Sequence, residues 1–410
     1  MNAISIGGMF RTGLTLVIVI LLPLLYIIKV KLEDSVESQT AFISEAGDLV
    51  PRHRQNHGQP HQDPLAKDNH CHPMAEKIIF LKTHKTASST VQNVLLRWGQ
   101  KNKKTFALPK SGKSIFSYWK SFKVSDVHGY CESCPKPDII AHHLRYSPDV
   151  EKLFAMDEPV YHLSIIRNPT SMFESVFNYM KGVAPQFKTA GTLEKFLDDP
   201  HKYIKHSKQM TSFFSRNHLT YEFGFDPMEE EPKKIAENLK LISQKWNLIM
   251  ITEHMAESLA VLKHDLCLSI EDIACFITNA RPKKTELSKK TQEKLLEWNQ
   301  ADARLYDHFN RTLWRRISHI GEEKIAHDVE KMHTLIDQLT EKCVDGYLPN
   351  SQLHPDFRTY QPPGLIVKGI QLTEEGFKDP LCYQMAMSEL PWTRELMKAQ
   401  GIPTNKLDKY

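Results

Sequence analysis

A polar loop with two lysines and a run of hydroxyl side chains follows the first apolar segment that resembles a strand. The run Ile78–Leu81 is typical of a buried parallel strand, and helical spacing of apolar residues begins at Val91. A loop between a buried strand and a helix presents free backbone N–H groups at the helix N-terminus, and with the helix dipole these groups bind anions. Charge and donors are added by Lys82, Lys85, Thr86, Ser88, Ser89 and Thr90. The alternative is a solvated turn with capping Ser and Thr residues.

This loop differs from the phosphate-binding loop of nucleotide hydrolases. That motif requires two glycines and a lysine followed by Ser or Thr at the helix start. No glycine occurs between Lys77 and Trp98, and the lysines precede the hydroxyl run. The pattern therefore indicates an anion site of another kind.

A second turn with a basic residue follows the next predicted strand, Val160–Ile166. Arg167 lies at its carboxyl end, where open α/β sheets bind ligands, and Ser175 follows about two helical turns later. A guanidinium and a hydroxyl so placed can hold a second phosphate. The alternative for Arg167 is a structural ion pair.

Histidines supply candidates for a general base. His142 and His143 follow the apolar run Ile139–Ala141, a predicted strand end, and His84 lies in the first loop. Histidine suits proton abstraction near neutral pH, although a single histidine is more often structural. Because strand side chains alternate, only one of the adjacent pair is expected to point into a site.

These residues require an α/β scaffold. The order strand, polar loop, helix occurs twice, with Asn168 and Pro169 as the predicted N-cap and first residue of the second helix. Leu248–Ile251 predicts a third strand. Alternating strands and helices predict a parallel sheet flanked by helices. Residues 288–341 are predicted helical, and the Pro-rich segment 345–410 is expected to wrap around the domain.

Composition and the N-terminus bound the remaining possibilities. The chain has 410 residues, 41% of them apolar, and a net charge of +4, which is too mild to indicate nucleic acid binding. Residues 12–28 are apolar and uncharged, and no small-residue cleavage site follows, so a transmembrane signal anchor is favoured over a cleaved signal. The flanking charges do not set its orientation. The predicted organisation is a cytoplasmic tail at 1–11, the anchor at 12–28, a lumenal stem at 29–75 and a catalytic domain at 76–410.

Residues 81–90, together with Ile166–Pro169 and Ser175, resemble the two donor-binding motifs of sulfotransferases. The first motif is most similar to that of the galactose 3-O-sulfotransferases, and the likeness extends over about residues 75–385. Members that act on glycoproteins resemble the chain most, followed by those that act on glycolipids. The C-x-x-C of Cys131 and Cys134 departs from the family pattern, and a local disulfide or two unrelated thiols are favoured there over a redox motif.

The resemblance implies a sulfotransferase fold and a donor, 3′-phosphoadenosine 5′-phosphosulfate (PAPS), with no metal required. Lys85 would neutralise the phosphosulfate and the leaving oxygen, and Arg167 with Ser175 would hold the 3′-phosphate. The implied 5′-phosphosulfate loop comprises Lys82, Thr83, Lys85, Thr86, Ala87, Ser88, Ser89 and Thr90. Arg281 is implied in a late lid loop. The implied base is His143, with His142 as the second candidate and His84 as the third. Cys343 and Cys382 are implied as a disulfide.

The implied acceptor is the 3-hydroxyl of terminal β-galactose on glycoproteins or glycolipids, including galactosylceramide. The implied location is the Golgi membrane, single-pass type II with a lumenal catalytic domain, and a homodimer is left open. In that lumen the sequon at Asn310 could be glycosylated.

Two other classes of function compete with this interpretation. An ATP-dependent kinase-like enzyme should show a nucleotide-hydrolase loop and a Mg²⁺-binding carboxylate at a strand end, and the sequence has neither. A non-catalytic glycan-binding module would not need Lys85, Arg167 and Ser175 at these spacings. The sulfotransferase hypothesis requires the turns at Lys85 and Arg167 to lie side by side.

Overall fold

A computed structural model describes residues 71–110, 114–205, 209–276 and 287–403. The predicted tail and anchor, most of the stem, and Arg281 lie outside these ranges. Within them, no helix combines the length and the apolar character needed to cross a membrane.

Five parallel strands form the centre of the fold. They are β1 (Lys77–Leu81), β2 (Phe106–Ala107), β3 (Ile139–Ile140), β4 (Val160–Ile166) and β5 (Leu248–Ile251), in the order β2-β3-β1-β4-β5. These apolar runs are buried, as expected for a parallel sheet covered on both faces. The predicted parallel α/β sheet is confirmed.

The strand order places a crevice beside β1. The chain leaves β1 for β2 and β3 on one side and returns to β4 on the other. Ligands of open α/β sheets bind at the carboxyl ends of strands where the order changes direction in this way. The loops that follow β1, β3 and β4 therefore converge on one edge.

Helices cover the sheet, and both α1 (Ser88–Lys101) and α2 (Pro169–Met180) begin at this edge. As predicted, Asn168 caps α2, since its side chain accepts a hydrogen bond from the Thr170 N–H at 3.0 Å. The helices between α2 and β5 are α3 (Pro185–Ala190), α4 (Leu193–Asp198), α5 (Pro200–Ile204), α6 (Gln209–Ser212), α7 (His218–Glu222) and α8 (Pro232–Lys245). Those after β5 are α9 (Met255–Leu266), α10 (Ile270–Ile273), α11 (Lys289–Trp298), α12 (Gln300–Ile320) and α13 (Glu322–Cys343).

The C-terminal part returns to the sheet domain. An antiparallel hairpin of β6 (Val344–Pro349) and β7 (Lys368–Leu372) precedes α14 (Glu374–Lys378), α15 (Pro380–Ala386) and α16 (Glu389–Ala399). The side chain of Asn93 on α1 donates to the carbonyl of Gln384 at 2.9 Å, and Trp392 on α16 is buried. These contacts fix α15 and α16 beside α1.

Three disulfides cross-link the described chain: Cys71–Cys267, Cys131–Cys134 and Cys343–Cys382. The second is local, and the third joins the end of α13 to α15. The first joins the segment before β1 to the residue after α9 across 196 positions. Sequence reasoning did not identify that pair, because no local pattern links such distant cysteines.

Candidate active site

The loop after β1 is held by its own hydroxyl groups. Thr83 donates to the Ile165 carbonyl of β4, while Thr86 and Ser88 donate to the Thr83 carbonyl. All three side chains are buried, so they shape the loop from within. Ala87 and Ser89 are exposed and Thr90 is half-buried at the start of α1.

Two residues of this loop have left-handed backbone conformations. Lys85 has φ 61° and Ala87 has φ 60°. Such conformations are costly for residues other than glycine and are concentrated at functional sites. Left-handed residues in turns also gather backbone N–H groups into anion-binding concavities. Ala87 is the N-cap of α1 and has no side-chain oxygen that could compete for those groups.

The turns after β1 and β4 are in direct contact. Arg167 donates from Nη1 to the Lys85 carbonyl at 3.1 Å and from Nε to Ser171 Oγ at 2.9 Å. Thr252, after β5, donates to the Thr86 carbonyl at 2.7 Å. The turns at Lys85 and Arg167 therefore lie side by side, as the sequence hypothesis requires.

One face of α2 lies beside the contact between the turns after β1 and β4. Ser171 contacts Arg167, and the Tyr179 ring lies under the Lys85 ammonium, with Nζ 3.9 Å from the ring centroid. Residues four apart share a helix face, so Ser175 lies between these two contacts, and it is buried. Sequence reasoning found Ser175 but missed Ser171 and Tyr179, although the spacing of four residues was a usable signal.

The adjacent histidines point in different directions, as alternation predicts. His142 is fully buried, and its Nε2 lies 2.9 Å from Thr393 Oγ1 on α16. Thr393 donates its own proton to the Glu389 carbonyl, so His142 Nε2 is the donor. Burial lowers the pKa of His142 to about 4. His142 therefore faces the C-terminal helix.

His143 faces the first loop instead. Its Nδ1 is 2.7 Å from the Lys82 carbonyl, which can only accept, so Nδ1 carries the proton and Nε2 is left as the acceptor. Its ring stacks on that of His84, with centroids 3.9 Å apart and planes 24° apart. Burial, then the neighbouring His84 and Lys82, hold the pKa of His143 well below its usual range.

A buried carboxylate holds His84. Glu222, the last residue of α7, accepts from the His84 backbone N–H at 2.9 Å and lies 2.8 Å from its Nδ1. Tyr118 also donates to Glu222, at 2.6 Å. Burial raises the pKa of Glu222 to about 7, and burial, with Lys82 and Lys85 nearby, lowers the pKa of His84 to about 3. Sequence reasoning missed Glu222 and Tyr118, since neither belongs to a recognisable motif.

The site thus combines two joined turns that carry Lys85 and Arg167 with a stacked pair of imidazoles beside them. A family model described as galactose-3-O-sulfotransferase matches residues 9–400 of the chain. The chain belongs to the galactose-3-O-sulfotransferase family.

Curated relatives agree with that match. Galactose-3-O-sulfotransferase 2 from Homo sapiens is 32% identical over 339 residues, covering 80% of this chain and 84% of the relative. The protein of the same name from Sus scrofa is 33% identical over 349 residues, covering 82% and 87%. Galactosylceramide sulfotransferase from Mus musculus is 30% identical over 343 residues, covering 80% and 79%.

In this member of the galactose-3-O-sulfotransferase family, the two loop lysines differ in environment. Lys82 is 1% exposed, and its ammonium lies 2.6 Å from Glu389 Oε2 on α16. The other oxygen of Glu389 accepts from Gln92 at 2.7 Å. Burial lowers the pKa of Lys82, and Glu389 opposes that effect. Lys82 therefore ties the loop to α16, and Lys85 is the half-buried lysine of the loop.

His84, His143 and Glu222 are also a donor set that could bind a metal. A metal ion must lie close to the plane of each imidazole that it binds. The planes of these stacked rings are nearly parallel, so they meet far from the nitrogens. The arrangement fits an aromatic stack, and the rings would have to turn before they could chelate an ion.

Asn310, the first residue of the glycosylation sequon, lies in the middle of α12, where its side chain is half-buried. In the described part of the chain its Oδ1 is buried without a hydrogen-bond partner. Glycosylation at Asn310 stays a prediction, as does the role of Arg281, which lies outside the described residues.

Proposed function

We propose that the protein transfers a sulfonate group from PAPS to the 3-hydroxyl of terminal β-galactose. The observation that carries this proposal is the hydrogen bond from Arg167 Nη1 to the Lys85 carbonyl, which joins the two anion-binding turns. One doubly phosphorylated nucleotide can then span both turns. The names of the family and of its relatives support galactose as the acceptor sugar.

The two ends of the donor have separate binding groups in this proposal. The 5′-phosphosulfate lies on the loop 82–90, against Lys85 and the N-terminus of α1. The 3′-phosphate lies between Arg167 and Ser175 on the inner face of α2. Lys85 then neutralises the charge that develops on the leaving phosphate oxygen.

The stacked pair of His84 and His143 supplies the base. The galactose O3 proton passes to an imidazole Nε2 while the new O–S bond forms and the S–O bond to the donor phosphate breaks. His143 is the residue that the sequence predicts, and its Nδ1 is held by the Lys82 carbonyl. Low pKa values keep both rings unprotonated at neutral pH. His142, which donates to Thr393, has a supporting role.

The cellular setting is part of the same proposal. The enzyme is a single-pass type II protein of the Golgi membrane, anchored by residues 12–28, with its catalytic domain in the lumen. Three disulfides in the described chain are typical of an oxidising compartment. The acceptors are glycoprotein or glycolipid glycans.

A transfer assay with the full-length protein and radiolabelled PAPS tests this proposal. The acceptors are Galβ1-4GlcNAc, Galβ1-3GalNAc and galactosylceramide, and the position of the product sulfate is determined by NMR. We expect label at the galactose 3-hydroxyl. Calorimetry that shows preference for ATP over PAPS, or a folded protein that sulfates no galactoside, would contradict the proposal.

Lys85→Ala tests the mechanism in that assay. Loss of a charge-stabilising group in a closed site costs about 10²- to 10³-fold in kcat. Lys331→Ala on the exposed face of α13 is the matched control, and we expect wild-type activity from it. A Lys85→Ala protein with undiminished transfer would exclude the assigned role.

A further inference from the structure

The carboxylate of Glu222 is fully buried and surrounded by donors from two other segments. It is bound by the backbone N–H of His84, by His84 Nδ1 and by the Tyr118 hydroxyl, at 2.9, 2.8 and 2.6 Å. His218 Nε2, on the same helix, lies 3.8 Å away. A buried carboxylate is costly unless such hydrogen bonds compensate it. Glu222 therefore holds the backbone N–H and the Nδ1 atom of His84 against its carboxylate.

We propose that Glu222 is a positioning residue, which holds His84 in the tautomer protonated at Nδ1 so that Nε2 is the free acceptor of the stacked base pair. This inference rests on the proposed function, because it concerns the base of that reaction. The Glu222 oxygen that lies 2.8 Å from Nδ1 also accepts from the His84 N–H and from Tyr118, so Nδ1 is the donor in this contact. The lone pair is then on Nε2.

Glu222 fixes both the backbone and the ring of the same residue. The hydrogen bond to the His84 N–H orients the loop after β1, and the hydrogen bond to Nδ1 fixes the rotation of the imidazole ring. The ring so fixed is the one that stacks on His143 at 3.9 Å. Both imidazoles thereby have Nδ1 engaged, by Glu222 and by the Lys82 carbonyl, and both present Nε2 as the acceptor.

Helix α7 is itself rigidly held, which makes Glu222 a fixed support. Asp302 on α12 accepts from the backbone N–H groups of Leu219 and Thr220 at 3.0 and 2.8 Å. It also accepts from the Thr220 hydroxyl at 2.7 Å. A supporting group must itself be locked if it is to keep a catalytic group within a fraction of an ångström.

The electrostatics favour the same role. Burial raises the pKa of Glu222 to about 7, while burial lowers that of His84 to about 3. A carboxyl of such basicity stabilises the imidazolium that forms when Nε2 takes the galactose proton. The carboxylate is also coupled electrostatically to His218, Tyr118, Tyr221 and Asp302.

Glu222→Leu tests the inference by kinetics. One Glu222 oxygen accepts from both the His84 N–H and Nδ1, so a glutamine can present its amide oxygen to both donors and keep the tautomer. A leucine has no acceptor, so nothing then fixes the proton on Nδ1. We expect the kcat of Glu222→Leu to fall about 10²- to 10⁴-fold, with the KM for PAPS changed less than about 3-fold. Glu222→Gln, which keeps an acceptor for Nδ1, should lose less than about 10-fold.

Tyr118→Phe is the matched control. It removes another hydrogen bond to the same carboxylate but leaves the His84 contact, so we expect less than about a 10-fold loss of kcat. Equal losses in Tyr118→Phe and Glu222→Leu, or a Glu222→Leu enzyme within about 3-fold of wild type, would show that the carboxylate only stabilises the fold.

NMR tests the tautomer independently of activity. Full-length protein labelled with ¹⁵N-histidine should show His84 protonated at Nδ1, and Glu222→Leu should show a larger fraction protonated at Nε2. A wild-type signal with the proton on Nε2 would overturn the inference whether or not the protein transfers sulfonate. If the tautomer is as expected but no galactoside is sulfated, the proposed function fails and the positioning of His84 stands.

Discussion

The ion pair formed by Lys82 and Glu389 allows a quantitative test of how α16 stabilises the loop after β1. The ammonium of Lys82 is 1% exposed, the Glu389 side chain is 16% exposed, and the two charged atoms are 2.6 Å apart. Glu389→Ala leaves the ammonium buried without its counter-charge. Breaking a buried pair in this way costs about 3–5 kcal/mol of unfolding free energy.

The double variant makes the test specific. Lys82→Met leaves a carboxylate that is still partly solvated and still bonded to Gln92, so we expect a smaller loss, about 2–4 kcal/mol. Lys82→Met combined with Glu389→Leu removes both charges and fills the space with apolar groups. Such replacements are often close to neutral, so we expect a loss of only about 1–2 kcal/mol. The coupling between the two sites is then about 3 kcal/mol or more.

Urea unfolding of the four proteins, followed by tryptophan fluorescence at pH 7, measures these values. Because burial lowers the pKa of Lys82, the cost of Glu389→Ala should shrink at pH 9, where the unpaired ammonium can release its proton. A Glu389→Ala loss below about 1 kcal/mol would refute the reasoning. So would a double variant as unstable as the sum of the two single variants.

Three further predictions concern the turn at Arg167, the disulfide between Cys343 and Cys382, and pH. Arg167→Lys replaces the planar guanidinium with a single nitrogen, which cannot occupy the Nε and Nη1 positions at once. The KM for PAPS should therefore rise about 10- to 100-fold in steady-state assays, with the acceptor KM unchanged. Replacing Cys343 and Cys382 with serine opens a 39-residue link and should cost roughly 4 kcal/mol in urea unfolding; a loss below about 1 kcal/mol would contradict this. Burial lowers the pKa of buried histidines such as His142 to about 4, so the unfolded chain binds more protons between pH 6.5 and 4. Stability should therefore fall as the pH falls through that window, and unchanged urea midpoints at pH 7, 6 and 5 would contradict this.

The parts of the fold that the sequence predicted are those with strong local signals. Apolar runs such as Ile78–Leu81 and Leu248–Ile251 mark strands buried on both faces, and Asn168–Pro169 marks a helix start. Because parallel strands end at one edge, two basic turns after adjacent strands must meet there. The contact between Arg167 and Lys85 follows from that topology.

The supporting carboxylates could not be predicted in this way. Glu222 bonds His84 across 138 positions, and Glu389 bonds Lys82 across 307. Their partners are set by how α7 and α16 pack, and nothing in the residues next to them encodes that packing. Sequence reasoning also grouped Lys82 with Lys85, because the sequence of a loop does not reveal which of its side chains points inward.

The Cys71–Cys267 disulfide determines how a force applied before residue 71 enters the domain. The covalent bond carries such a pull directly to the residue after α9, in parallel with the backbone that leads into β1. The backbone into β1 therefore carries only part of that force. While the bond is intact, the load on β1 and on the loop after it is smaller than in a chain with reduced cysteines.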